Sequence, residues 1–158
     1  MNALFPFFKW LDTTSISKFI NNSNWLFPAI EGVHIVALAL LFGAVIMLNL
    51  RMLDVLMKGR PLPRLLKELQ PWTFWSLTVI LLTGSMLFIA EAVKSFYSNP
   101  FRIKIVVLVL AIAFHFGVSS RLMQQDDTSR PAWSKAAAVL AIAMWVTVGF
   151  AGRAIGFF

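Results

Sequence analysis

The sequence holds no cysteine, one tyrosine and only two histidines. Without cysteine there are no disulfides, no thiol chemistry, no iron–sulfur clusters and no covalent c-type haem attachment. Charge is scarce as well. Asp, Glu, Lys and Arg make up 13% of the residues, against about 25% in a soluble domain. Such a chain cannot clothe itself in polar surface. There is no Ser–His–Asp set, phosphate-binding loop or metal-hydrolase motif. Nor is there a basic patch interleaved with exposed aromatics, so nucleic acid is set aside as a partner despite the net charge of +7. The first residues lack a basic stretch and a small-residue cleavage site, and no removable signal peptide is expected.

What the chain does have is apolar sequence, 59% of it, in long unbroken runs. That places it in the membrane class, with a lipid bilayer as its first partner. Spans are expected over about 25–50, 72–92, 101–122 and 133–156. Residues 1–24 are too polar to span. Leu4, Phe7, Phe8 and Leu11, then Ile16, Phe19 and Ile20, recur at helical spacing among Lys9, Asp12 and Lys18. This reads as an interfacial amphipathic segment of one or two short helices. Residues 51–71 form a basic loop, in which Pro61 and Pro71 bracket a short amphipathic helix carrying Leu62, Leu65, Leu66 and Leu69. Tyr97-Ser98-Asn99-Pro100 reads as a tight turn and residues 124–131 as a polar loop. The tryptophans, Trp72 and Trp75 above all, read mostly as interfacial belt residues.

The expected fold is therefore all-α, a transmembrane four-helix up-down-up-down bundle behind the N-terminal interfacial segment. Orientation follows from lysine and arginine. The loops after spans one and three carry Arg51, Lys58, Arg60, Arg64, Lys67, Arg121, Arg130 and Lys135. The other side carries Lys9, Lys18, Lys94, Arg102, Lys104 and Arg153. The excess on the first side places both termini in the periplasm of a multi-pass protein of the bacterial inner membrane.

Both histidines fall inside spans, His34 in the first and His115 in the third. An ionisable group at such a place is a functional candidate, because burying it in hydrocarbon is costly. Spans one and three run in the same direction, and with boundaries uncertain by a few residues the two imidazoles reach similar depth. That is the requirement for a haem b clamped between two histidines. Lys104 precedes His115 by eleven residues, three turns away on the same helix face, where it can meet a propionate. Arg102 and Arg153 are further candidates for the propionates, and Glu31 and Glu91 complete a cluster of charges at that end. Gly84, Ser85 and the stripe Gly149, Gly152 and Gly156 allow close helix approach or room for a macrocycle. Two other readings stay open. The histidines can simply hydrogen-bond helices together, or hold a metal with a third ligand from Glu31 or Glu91.

Two segments carry a resemblance. Trp25-Leu-Phe-Pro-Ala-Ile-Glu-Gly-Val-His34, with Ala37-Leu-Ala-Leu-Leu-Phe-Gly43 and Asn49-Leu-Arg51, resembles a family of uncharacterised bacterial four-span membrane proteins. So does Asn99-Pro-Phe-Arg-Ile-Lys104 with His115 eleven residues on. More distantly, a first-span histidine with a glycine and an arginine beyond it, and the Lys-to-His spacing, resemble the HemJ-type protoporphyrinogen oxidases and the CopD-type copper-resistance proteins. The HemJ resemblance implies haem b ligated by His34 and His115, with Lys104 and Arg51 as functional polar residues. Asn49-Leu50-Arg51 departs from the HemJ Leu-Pro-Arg, and the Met- and His-rich segments of copper carriers are absent. The expected function is electron transfer within or across the membrane. Quinone, a periplasmic redox protein or another membrane subunit would be the partner, with a homo-oligomer as a further arrangement. The alternatives are a HemJ-like porphyrinogen oxidase and a cofactor-free structural or transport-related subunit.

Overall fold

The computed structural model describes residues 5–154, apart from the side chains of Pro100, Arg153 and Ala154. Every regular element among the described residues is helical. Helices α1 (Phe5–Asp12) and α2 (Ser15–Asn21) lead into α3 (Leu26–Met52), α4 (Leu62–Ala90) and the short α5 (Ala92–Tyr97). The third span is composite: α6 (Asn99–Phe114), a π-helical turn (His115–Ser119) and α7 (Ser120–Met123). Helix α8 (Ser134–Ala154) is the fourth. All four spans are long and apolar enough to cross a membrane. The 27 residues of α3 measure about 40 Å at 1.5 Å per residue, more than the hydrocarbon core needs.

Helix α3 packs against both α4 and α8, and α6 packs against α8. Spans one and three thus stand on either side of span four. Successive spans run antiparallel. One end of the bundle carries α1, α2 and α5 and is called the terminal end; the other carries the loops after spans one and three and is called the loop end. The middle of the core joins Ala37, Leu41, Val45, Leu77, Leu108, Ala111 and Trp145. The loop end joins Leu48, Met52, Leu65, Leu66, Leu122 and Met123. Val36, Leu40, Leu82, Val106, Val109 and Leu140 stay exposed on the outward faces. In water this much apolar surface would drive aggregation; in a bilayer lipid tails cover it.

Three expectations change. The short helix after Pro61 is not separate from span two: α4 runs unbroken through Pro71. Pro71 removes one N–H from the ladder. Leu62, Leu65 and Leu66 nevertheless pack with Leu122 and Met123, and that burial holds the helix together across the proline. Trp72 and Trp75 sit exposed part-way along it, as interfacial belt residues would. Trp145, by contrast, is a core residue, 2% exposed. The tight turn at 97–100 is instead the junction of α5 and α6, where the Ser98 hydroxyl accepts from the Phe101 N–H at 3.3 Å.

The N-terminal segment is two helices docked on the terminal end. Thr14 caps α2 by accepting from the Ser17 N–H. The Asn21 amide donates to the Ala90 carbonyl at 2.9 Å. Phe8 meets the edges of Phe88 and Phe96 at centroid distances of 5.6 and 5.1 Å. Phe7, Trp10, Ile16 and Phe19 face outward, the apolar side expected of a helix at a membrane surface. The expected apolar position Leu4 and the stripe residue Gly156 lie outside the described residues.

Candidate functional site

Polar side chains inside the bundle gather at three depths. The first lies in its terminal third. His34 is buried on α3, and its Nδ1 lies 2.8 Å from the Thr83 hydroxyl of α4. Thr83 donates its one hydroxyl hydrogen to the Val79 carbonyl at 2.6 Å. It can therefore only accept from His34, so the imidazole carries its proton on Nδ1. Nε2 keeps its lone pair, and no hydrogen bond to Nε2 exists among the described residues. The ring sits against Gly84, where a Cβ would come within 3.3 Å of Cε1. Lys104 of α6 is close enough to interact electrostatically with His34. Its chain lies over Gly152 of α8, where a Cβ would stand 3.4 Å from Nζ. No carboxylate among the described residues pairs with Lys104. The glycines of spans two and four thus admit polar side chains between helices. Gly149 does the same for an apolar one, with Phe42 lying where its Cβ would be.

The second layer is deeper. His115 opens the π turn and is 1% exposed, and its Nδ1 has no hydrogen-bond partner. Its ring stands edge-on to Trp145 at a centroid distance of 6.4 Å. Phe42 of α3 meets the same indole, also at 6.4 Å. His115 and Phe42 thus both stand against Trp145. His34 lies eight residues before Phe42, about 12 Å nearer the terminal end. Met52 and Met123 belong to one cluster at the loop end. Ala37, Leu41, Leu108 and Ala111 fill the interval. Lys104 thus lies near enough to His34 for their charges to interact, and His115 stands against Trp145. If a haem were bound, His34 could supply a nitrogen ligand to its iron and Lys104 a cation for a propionate.

The third cluster closes the loop end. Arg51, 2% exposed, donates from Nε to the Arg60 carbonyl at 2.8 Å, from one terminal nitrogen to Asp54 at 3.0 Å and from the other to Asp127 at 2.7 Å. It fastens both inter-span loops to the end of α3. Left-handed backbone at Asp54 and Met57 (φ 60° and 55°) folds the first loop back toward it. Arg130 pairs with Asp127. Lys135 contacts Asp54 at 3.2 Å. The Lys135 hydrogen bond, with the charges of Lys135, Arg51 and Arg130, holds the Asp54 carboxyl below its ordinary range. Burial and the neighbouring Arg51 draw Arg130 below its own. Beside this network lies an open hollow of about 230 Å³ bordered by Lys58, Arg60 and Asp126.

The remaining expected residues are placed differently. Arg102 is exposed, donates to the Phe96 carbonyl at 2.9 Å and lies over the Phe96 ring. Glu91 pairs with Lys94 at 3.7 Å, and Glu31 is exposed. They do not form one cluster around Lys104. Arg153 belongs to α8, and its side chain lies outside the described residues. No group of three or more His, Asp or Glu suited to a metal ion occurs among the described residues. Thr83, Asn49, Ser119 and Trp145 were not singled out as site residues from the sequence. A threonine beside the mid-span Gly84 was the one available signal.

The chain belongs to the family of unknown function DUF6644, whose family model matches residues 7–158. No curated protein and no solved structure matches the chain.

Proposed function

We propose that this family member is a multi-pass protein of the bacterial inner membrane, both termini periplasmic, that binds one haem b on His34. The observation that carries this reading is the Nδ1–H of His34 held by Thr83, which leaves Nε2 as a fixed, unprotonated donor. Such orientation by a hydrogen bond on the far nitrogen is what metal-ligating histidines use. Lys104, without an anionic partner among the described residues, supplies the cation for a propionate at the same depth. Bound haem would supply one-electron chemistry. This reading takes His34 as the histidine ligand and leaves His115 out. Haem held by a single histidine would leave a position for substrate, which would suit a small-molecule oxidoreductase of the porphyrinogen-oxidase kind, with quinone or a periplasmic redox protein taking the electrons, better than a closed electron carrier.

The test is an optical spectrum of the purified protein, oxidised and dithionite-reduced. It is run with wild type, His34→Ala and His115→Ala, each checked for monodispersity. A Soret band lost only in His34→Ala, and reduced protein that binds carbon monoxide, is the expected result. Loss in both variants would restore the two-histidine haem and electron transfer. Colourless wild type after expression with a haem precursor would remove haem altogether. One observation favours that cofactor-free reading: the His34–Thr83 bond joins spans one and two, as a helix-gluing histidine would. It predicts normal folding of the His34→Gln, His115→Gln double variant.

A further inference from the structure

The hollow between the two inter-span loops has no part in that reading. It is open, about 230 Å³ in volume, and bordered by Arg51, Lys58 and Arg60 together with Asp126 and Asp127. Pockets for drug-sized ligands begin at roughly 300 Å³, so this one suits a single small polar group.

Its wall is held in place. Left-handed backbone at Asp54 and Met57 turns the first loop back, and the Arg60 N–H donates to the Met57 carbonyl at 3.0 Å. The buried Arg51 guanidinium fastens the Arg60 carbonyl and Asp127 to one rigid plane. Lys58 and Arg60 are thereby kept beside the second loop.

The charges leave an excess of cations. Asp127 is taken by Arg51 and Arg130. Glu68 is shared by Arg60 at 3.6 Å and Arg64 at 3.5 Å, one carboxylate for two guanidiniums. Lys58 has no carboxylate partner among the described residues. Over residues 51–71 and 121–135, eight Lys and Arg face four Asp and Glu. An ammonium and a guanidinium on one rim suit a phosphate. The Asp126 carboxylate, also without an ion pair among the described residues, can accept from a hydroxyl. A bare phosphate would only be repelled by Asp126. A phosphodiester that continues into hydroxyls answers both sides of the hollow. A zwitterionic headgroup would meet Asp126 as well, but it carries no net charge to answer the excess of cations.

The hollow also lies at the membrane surface. On α4, exposed Lys67 and Glu68 give way to exposed Trp72 and Trp75. On α8, exposed Lys135 gives way to exposed Val139 and Leu140. Polar surface ends and lipid-facing surface begins between them. Arg51 and Lys135 both bond Asp54, which ties the hollow to the polar side of that boundary. Headgroup phosphates lie there.

We infer that the loop end holds one anionic phospholipid by its headgroup, the phosphodiester on Lys58 and Arg60 and a glycerol hydroxyl on Asp126. Phosphatidylglycerol has this chemistry. The assignment is independent of haem on His34.

The test is native mass spectrometry of the delipidated full chain, titrated with phosphatidylglycerol, phosphatidylethanolamine or phosphatidylcholine. One phosphatidylglycerol should be retained several-fold better than either zwitterionic lipid. Lys58→Gln combined with Arg60→Gln should lower that retention several-fold. Lys67→Gln combined with Arg121→Gln removes the same charge from the same end, outside the hollow, and should leave retention unchanged. All four side chains are exposed, so neither double variant disturbs the core. Equal loss in the two double variants would overturn the site in favour of diffuse attraction. Equal retention of phosphatidylethanolamine would overturn the anionic headgroup. Displacement of the lipid by soluble glycerol phosphate at a comparable concentration would overturn the lipid and assign the hollow to a free anion.

Discussion

The Nδ1 of His34 and the hydroxyl of Thr83 lie 2.8 Å apart, and the bond between them runs in one direction, from imidazole to threonine. That direction follows from the threonine's own bond to Val79. Thr83→Val keeps the shape and removes the acceptor. The expected result is a mixture of His34 tautomers in 15N NMR of histidine-labelled protein. A stability loss of about 1 kcal/mol should accompany it. Thr83→Ser should preserve the single tautomer. A single Nδ1–H tautomer in Thr83→Val would show that Thr83 does not set it.

Three glycines give a graded series in thermal unfolding. At Gly149 a Cβ would lie 2.8 Å from the Phe42 ring, at Gly84 3.3 Å from His34, and at Gly43 nothing stands within 4 Å. Gly149→Ala should cost about 1–3 kcal/mol as Phe42 is displaced. Gly84→Ala should cost less and shift the His34 resonances. Gly43→Ala should be neutral or stabilising, since alanine is the better helix former by about 1 kcal/mol. Equal melting temperatures for all three would mean that the glycines are not there to admit neighbours.

Arg51→Lys is not a conservative change here. One ammonium cannot reproduce a planar fork aimed at the Arg60 carbonyl, Asp54 and Asp127 together. Proteolysis of the two inter-span loops should accelerate in Arg51→Lys nearly as much as in Arg51→Ala. Full protection by lysine would reduce the cluster to simple charge pairing.

The same cluster carries a pH signature. The folded Asp54 carboxyl lies below its ordinary 3.8. A depressed carboxylate contributes stability that is complete above the unfolded value and lost as pH falls through the folded one. Loop protection should therefore hold from pH 7 to about 4 and fall below that. Asp54→Asn should flatten the acid limb. An acid limb unchanged in Asp54→Asn would assign it to other carboxyls.

If haem sits on His34, Lys104→Met should lower its midpoint potential while the Soret band persists. A nearby positive charge favours the reduced centre, which carries one positive charge fewer. An unmoved potential would take Lys104 away from the propionates.

The four spans were legible because an apolar run of that length has one structural meaning in a chain this poor in charge. Continuity of α4 through Pro71 was not. It depends on Leu65 and Leu66 meeting Met123, a contact between residues far apart in the chain. Depth is harder to read, because counting from span ends leaves His34 and His115 uncertain by a turn or more. The tryptophans show the same limit. Belt and core tryptophans share a composition, and Trp145 is set apart by what packs around it. Span three carried no visible mark of its π turn.

That turn has a consequence of arithmetic. The Ser120 N–H bonds the His115 carbonyl five residues back, so the span contains one residue more than an α-helix of the same hydrogen-bond ladder would need. Every position beyond it is rotated by about 100° relative to an uninterrupted count. Leu122 and Met123, which close the loop end, point inward because of that surplus residue. The third span behaves as two helices in different phase. A relative one residue shorter between Phe114 and Ser120 would align closely and still present its polar groups to a different neighbour.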